Sequence, residues 1–114
     1  MAAILVVEDE PNIAAIIRFK LEREGHRVRH ETSGSAALEA CAEQRPDLAL
    51  LDSSLDDVDA LQLLAQIRGS CPVVVMTEFR DERTPVRALE GGAVASLEKP
   101  FKPTQLARLV GSLV

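Results

Sequence analysis

The chain has 114 residues, 46% of them hydrophobic and 27% charged, a balance that fills one globular core and excludes a disordered segment. A formal net charge of −5, with Phe19, Phe79 and Phe101 as the only aromatic residues, argues against direct nucleic-acid binding, which needs clustered cations and stacking rings. Cys41 and Cys71 form no CxxC pair and have no histidine spaced to complete a zinc site, so they read as reduced, buried thiols of a cytoplasmic protein; no stretch suits an export signal or a membrane span.

Short apolar runs alternate with amphipathic stretches from the first residues onward. That alternation predicts one domain over 1–114, an α/β fold of five βα units wound into a parallel five-stranded sheet with helices on both faces. Ala3–Val7 reads as the first buried strand. Pro11 then opens a helix whose Ile13, Ile16, Ile17 and Leu21 recur at helical spacing, ending at Gly25. Arg27–Glu31 is a more polar strand, placed nearer an edge. Ser33 or Ser35 caps a second helix that runs to about Gln44, and Pro46 forbids its continuation.

Leu48–Leu51 is a third strand, Leu61–Ile67 a third helix stopped at Gly69, and Val73–Met76 a fourth, β-branched strand. Thr84 followed by Pro85 predicts an N-cap and a proline at the first helical position, which leaves Glu78–Arg83 as a charged loop. A short strand near Ala95–Leu97 and a helix from about Thr104 complete the five units.

In an open parallel sheet, ligands bind outside the carboxyl ends of the strands, where strand order reverses. Strand one ends in Glu8 and Asp9, strand three in Asp52, strand four in Thr77, and the fifth unit supplies Lys99 before Pro100. Dinucleotide and P-loop folds place glycines after strand one; here two carboxylates stand there instead. Carboxylates gathered at one edge repel each other and a phosphate unless a cation is present, and hard oxygen donors without His or Cys favour Mg²⁺. One nucleophilic carboxylate, a metal, a lysine and the Thr77 hydroxyl make a phosphoryl-transfer site built on positioning and charge neutralisation.

With VVEDEP, LLD, MT and EKPF in this order, the chain resembles the receiver domain of two-component response regulators over its whole length. The resemblance implies a flavodoxin-like receiver fold in which Asp52 is the phosphoacceptor. It further implies that Glu8 and Asp9 hold Mg²⁺ with Asp52, that Ser54 lends the metal a backbone carbonyl, and that Lys99 and Thr77 meet the phosphoryl group. The donor it implies is a phospho-histidine on a sensor histidine kinase or phosphotransfer protein. Acylphosphate formation and hydrolysis are then self-catalysed by a signalling domain rather than an enzyme acting on external substrates. Output is expected through the fourth helix, fifth strand and fifth helix to a downstream domain or protein, with no membrane or direct nucleic-acid contact. The Lys99–Pro100 bond is expected to be cis.

Other residues invite simpler readings. At least one of Asp56, Asp57 and Asp59 serves as an N-cap or first-turn acid of the third helix, and a calcium loop lacks its glycine and terminal glutamate here. His26 and His30 read as solvated side chains. The chain also departs from the family pattern. Asp56 and Ala60 replace a usual proline and glycine, and Glu78 a usually small residue, where its carboxylate would hinder access, repel phosphate or orient water. Ser96 replaces the aromatic residue that rotates inward as the threonine moves, and Val94 and Ala95 replace acids used in dimerisation.

Phosphorylation is therefore expected to act on the Glu78–Arg83 loop and the start of the fourth helix. Two competing readings follow from the residues. One is a receiver-fold binding module that signals without phosphorylation, motivated by Glu78, Asp56 and Ser96. The other is a Mg²⁺-dependent phosphatase, which would need an Asp-x-Asp pair that neither strand end supplies.

Overall fold

A computed structural model describes residues Met1–Val114. Five strands, β1 (Ala3–Val7), β2 (Arg27–Glu31), β3 (Leu48–Asp52), β4 (Val73–Thr77) and β5 (Ala95–Glu98), form one parallel sheet in the order β2-β1-β3-β4-β5. The helices between and after them are α1 (Pro11–Arg23), α2 (Gly34–Glu43), α3 (Ala60–Ile67), α4 (Arg83–Glu90) and α5 (Pro103–Leu113). This is the doubly wound α/β architecture that the alternation predicts.

The two-residue period of a strand divides the core. Leu5, Val7, Ala49, Leu51, Val73 and Val75 face a cluster completed by α2, α3 and Ala88 of α4. Ile4, Val6, Leu48, Leu50, Val74 and Met76 face the other cluster, with Ile17 and Leu21 of α1 and Leu106 and Val110 of α5. Covered on both faces, β3 and β4 are buried at every position, whereas β2, at one edge, alternates with exposed Arg27 and Arg29.

Local chemistry sets the ends of the helices. The Glu10 carboxylate accepts from the Asn12 and Ile13 N–H groups and Pro11 starts α1, while Gly25, at φ +93°, makes the left-handed exit. Ser33, rather than Ser35, caps α2 through the Ala36 N–H. Asp59 caps α3 through the Leu61 N–H, as one of the three acids was expected to do. Asp57 acts elsewhere: its carboxylate accepts from the Gly34 and Ser35 N–H groups and ties the start of α2 to the loop before α3. Gly34 is needed there, because a Cβ would lie 2.6 Å from Val58 Cγ2.

Two expectations are corrected. Helix α4 begins at Arg83, two residues before Pro85, and Thr84 is not its N-cap. Asp81 Oδ1 accepts from the Arg83 and Thr84 N–H groups, and its Oδ2 from the Thr84 hydroxyl, so the aspartate satisfies the first turn. Pro85 fits at the third helical position because its missing N–H belongs to the turn without intrahelical partners. The histidines are half-buried rather than solvated. His26 Nδ1 accepts from the Ala2 N–H at 3.2 Å, and His30 Nε2 donates to the Glu8 carbonyl at 2.7 Å. Both close gaps in backbone bonding that a sequence does not display.

Candidate acidic site at the carboxyl edge of the sheet

Asp52 and Thr77 are the last residues of β3 and β4, and Glu8 follows β1 directly. Being interior to the sheet, these positions bury their side chains: Glu8 is 0% exposed and Asp52 and Thr77 are each 1% exposed. Parallel pairing brings them together. The Glu8 N–H donates to Glu31 O, the Ser53 N–H to Met76 O, and the Lys99 N–H to Thr77 O, so the chain after each strand is fixed to its neighbour. The Lys99–Pro100 bond is cis, as expected.

Lys99 Nζ donates to Asp52 Oδ1 at 2.9 Å and lies 2.8 Å from Glu8 Oε1. The second approach is a buried ion pair, and Glu8 Oε2 accepts from the Glu10 N–H at 3.2 Å. Carboxylate oxygens of Glu8, Asp9 and Asp52 all lie within 4.8 Å of one another. One ammonium therefore pairs with two acids, Glu8 and Asp52, in a cluster of three. Burial, reinforced by Asp52 and opposed by Lys99, pushes the Glu8 carboxyl up to about 7. Burial pulls the Lys99 ammonium down, but its contacts with Glu8 and Asp52 outweigh that and hold it above the ordinary lysine range.

The donor set is oxygen only and carries excess negative charge at a desolvated edge, which suits a hard divalent cation such as Mg²⁺. Thr77 Oγ1 is buried without a hydrogen-bond partner, a state that natural structures rarely leave unused. Asp52 Oδ1 is occupied by Lys99 and the Ser54 N–H, whereas Oδ2 has only the Ser54 hydroxyl, at 3.4 Å.

All the residues singled out from the sequence thus meet at one edge, but Ser54 does more there than anticipated. Its hydroxyl lies 3.3 and 3.4 Å from the two Asp52 oxygens and 2.7 Å from Glu78 Oε1. Glu78 is exposed, and no spacing rule relates it to Ser54, 24 residues earlier. Beside Lys99 a cavity of about 400 Å³ opens between Ile13 and Ile16 of α1 and Phe79 and Phe101. A smaller cavity of about 170 Å³, between β2 and α2, adjoins none of the acids. Ser96 is half-buried on β5 beside Val75.

The family described as response regulator receiver domain matches residues 4–111. The transcriptional regulatory protein KdpE of Mycobacterium tuberculosis is 38% identical over 96% of this chain and 50% of its own length. The alkaline phosphatase synthesis transcriptional regulatory protein PhoP of Bacillus subtilis is 32% identical over 97% of this chain and 48% of its own. The chain thus spans about half the length of these curated relatives. Among solved structures, the receiver domain of NtrX from Brucella abortus superimposes with a TM-score of 0.92 at 34% identity, covering 96% of each chain. A putative response regulator from Chloroflexus aurantiacus does so with a TM-score of 0.93 at 27% identity, over 98% of this chain and 96% of that one. No helix is long and apolar enough to cross a membrane.

Proposed function

The chain belongs to the response regulator receiver domain family of two-component systems, and from that premise we infer that Asp52 is the phosphoacceptor, served by Mg²⁺ and a phospho-histidine donor in the cytoplasm. The observation that carries this reading is the unequal state of the two Asp52 oxygens: Lys99 holds Oδ1 at 2.9 Å, and Oδ2 has no strong partner. Oδ2 forms the new bond to phosphorus as the donor's N–P bond breaks, and the electron pair leaves with the imidazole, which retains or regains its proton. Hydrolysis reverses the loading: water adds to phosphorus, the O–P bond breaks, and Asp52 regains its carboxylate as inorganic phosphate departs.

Glu8, Asp9, Asp52 and the Ser54 backbone carbonyl would hold the metal. When bound, Mg²⁺ neutralises charge on the phosphoryl oxygens. Lys99 orients Asp52 and meets the incoming charge, and the unpartnered Thr77 hydroxyl is available to donate to a phosphoryl oxygen. The cavity lined by Ile13, Ile16, Phe79 and Phe101 adjoins Lys99, so a protein donor would approach over it. Output passes through α4, β5 and α5 to a further domain or a separate protein. The whole chain over 1–114 acts as one receiver domain.

Incubation with a small phosphodonor and Mg²⁺, followed by intact mass, tests the reading: wild type gains one phosphoryl group and Asp52→Asn gains none. A binding module that signals without phosphorylation is favoured instead by the Glu78 carboxylate bonded above Asp52 through Ser54. That reading stands if wild type gains no mass.

A further inference from the structure

The Ser54 hydroxyl has one proton and three acceptor oxygens around it. Glu78 Oε1 is at 2.7 Å, within the range of a charge-assisted bond, while the Asp52 oxygens are at 3.3 and 3.4 Å. The proton therefore points to Glu78, and Ser54 Oγ turns its lone pairs toward Asp52. This bond anchors one end of the loop between β4 and α4. Asp81 anchors the other end by capping α4. Between the anchors Arg80 adopts φ +63°, the left-handed region that a residue with a Cβ occupies at a penalty, and its guanidinium stacks 5.0 Å from the Phe79 ring centroid. The loop is a strained segment held by two polar ties, one of which touches the acceptor.

We propose that Glu78 is a positioning residue for the reaction at Asp52: it withholds the Ser54 hydroxyl until a phosphoryl group arrives, and its release frees the loop before α4. The proposal rests on Asp52 being the phosphoacceptor. A phosphoryl group brings a charge of about −1.5 to −2 and three acceptor oxygens next to Ser54 Oγ. The hydroxyl rotates to donate to one of them, Glu78 loses its donor while facing a new like charge, and the strained Arg80 turn relaxes. Ser54 and Glu78 thus supply the link from acceptor to α4 in a chain where Ser96 stands on β5. No bond to carbon, oxygen or phosphorus changes in this step beyond the transfer itself; one hydrogen bond is exchanged for another.

The test follows amide hydrogen exchange of residues 79–86 in the full chain with Mg²⁺, with and without beryllofluoride as the phosphoryl mimic. In wild type the mimic should raise exchange in this segment. Glu78→Ala and Ser54→Ala should each raise it without the mimic, by on the order of tenfold for one lost hydrogen bond, and the double variant should go no further. Glu78→Gln keeps an acceptor for Ser54 but no charge, so it should retain most of the protection and take up a phosphoryl group from a small donor faster than wild type. Alanine variants that leave exchange at the wild-type level, or effects that add in the double variant, would overturn the proposal. Mass gain on Asp52 in wild type is scored in parallel, so a failure of phosphorylation itself is distinguished from a failure of the Glu78 link.

Discussion

Helices α3 and α4 have the same length, follow neighbouring interior strands and lie on the same side of the sheet, yet they are held very differently. Four of the eight residues of α3 (Ala60, Leu63, Leu64 and Ile67) are buried and its N-cap is a bonded aspartate. Only Ala88 of the eight in α4 is buried, while Val86 and Leu89 are 56% and 50% exposed. Hydrophobic burial scales with the area removed from water, so α3 is fixed by packing and α4 mainly by the polar ties of its leading loop. A site between two such helices can move one without disturbing the other.

The strongest way to break this contrast is to remove what drives it. Asp52→Asn should abolish the mass gain from a phosphodonor, and with it any difference between the hydrogen-exchange responses of α3 and α4. An Asp52→Asn chain in which α4 still responds to donor and Mg²⁺ would show that the site does not act through Asp52. Next in size is packing. Leu64→Ala should destabilise by about 2–5 kcal/mol in urea unfolding, because it leaves a cavity in a full core, whereas Leu89→Ala on α4 should stay within roughly 0.5 kcal/mol. Equal losses would mean that α4 is packed in solution.

A smaller effect sharpens the electrostatic side. Glu8 rises from an ordinary 4.5 to about 7 in the folded chain, so the folded state binds the extra proton between these values. Its contribution is present below about pH 4.5 and lost as pH rises through about 7. Wild type without divalent cation should therefore lose stability relative to Glu8→Gln over that window, and Mg²⁺ should reduce the loss. Parallel pH profiles of the two proteins would contradict it. Least in size, the phosphoryl mimic should change exchange in residues 83–90 and leave Leu63–Ile67 within error.

Most of α3 is legible in the sequence because a dense apolar helix period and an aspartate before it are local signals, while the sequence points to a start of α4 two residues later than Arg83. Thr84 with Pro85 has the pattern of a helix start, but Asp81 captures the Arg83 and Thr84 N–H groups first, and nothing local announces that competition. The acids and lysine were legible because strand order alone carries Glu8, Asp52, Thr77 and Lys99 to one edge. The Ser54 bond to Glu78 and the Asp57 tie to Gly34 were not, since each joins loops that only the finished sheet brings together. Residues alone leave open whether Glu78 hinders, repels or orients; the 2.7 Å contact shows its carboxylate fastened to the Ser54 hydroxyl beside Asp52.

The cluster of three acids with a single lysine paired to two of them also bears on how this sequence can change. A fold selected for stability alone would neutralise Glu8 or Asp9, since relieving a buried like-charge cluster is among the simplest stabilising substitutions available. If the edge works as proposed, a substitution there yields a sturdier protein at the expense of a working one. Engineers seeking a thermostable version of this chain should look to the solvent face of α4 and leave that edge alone.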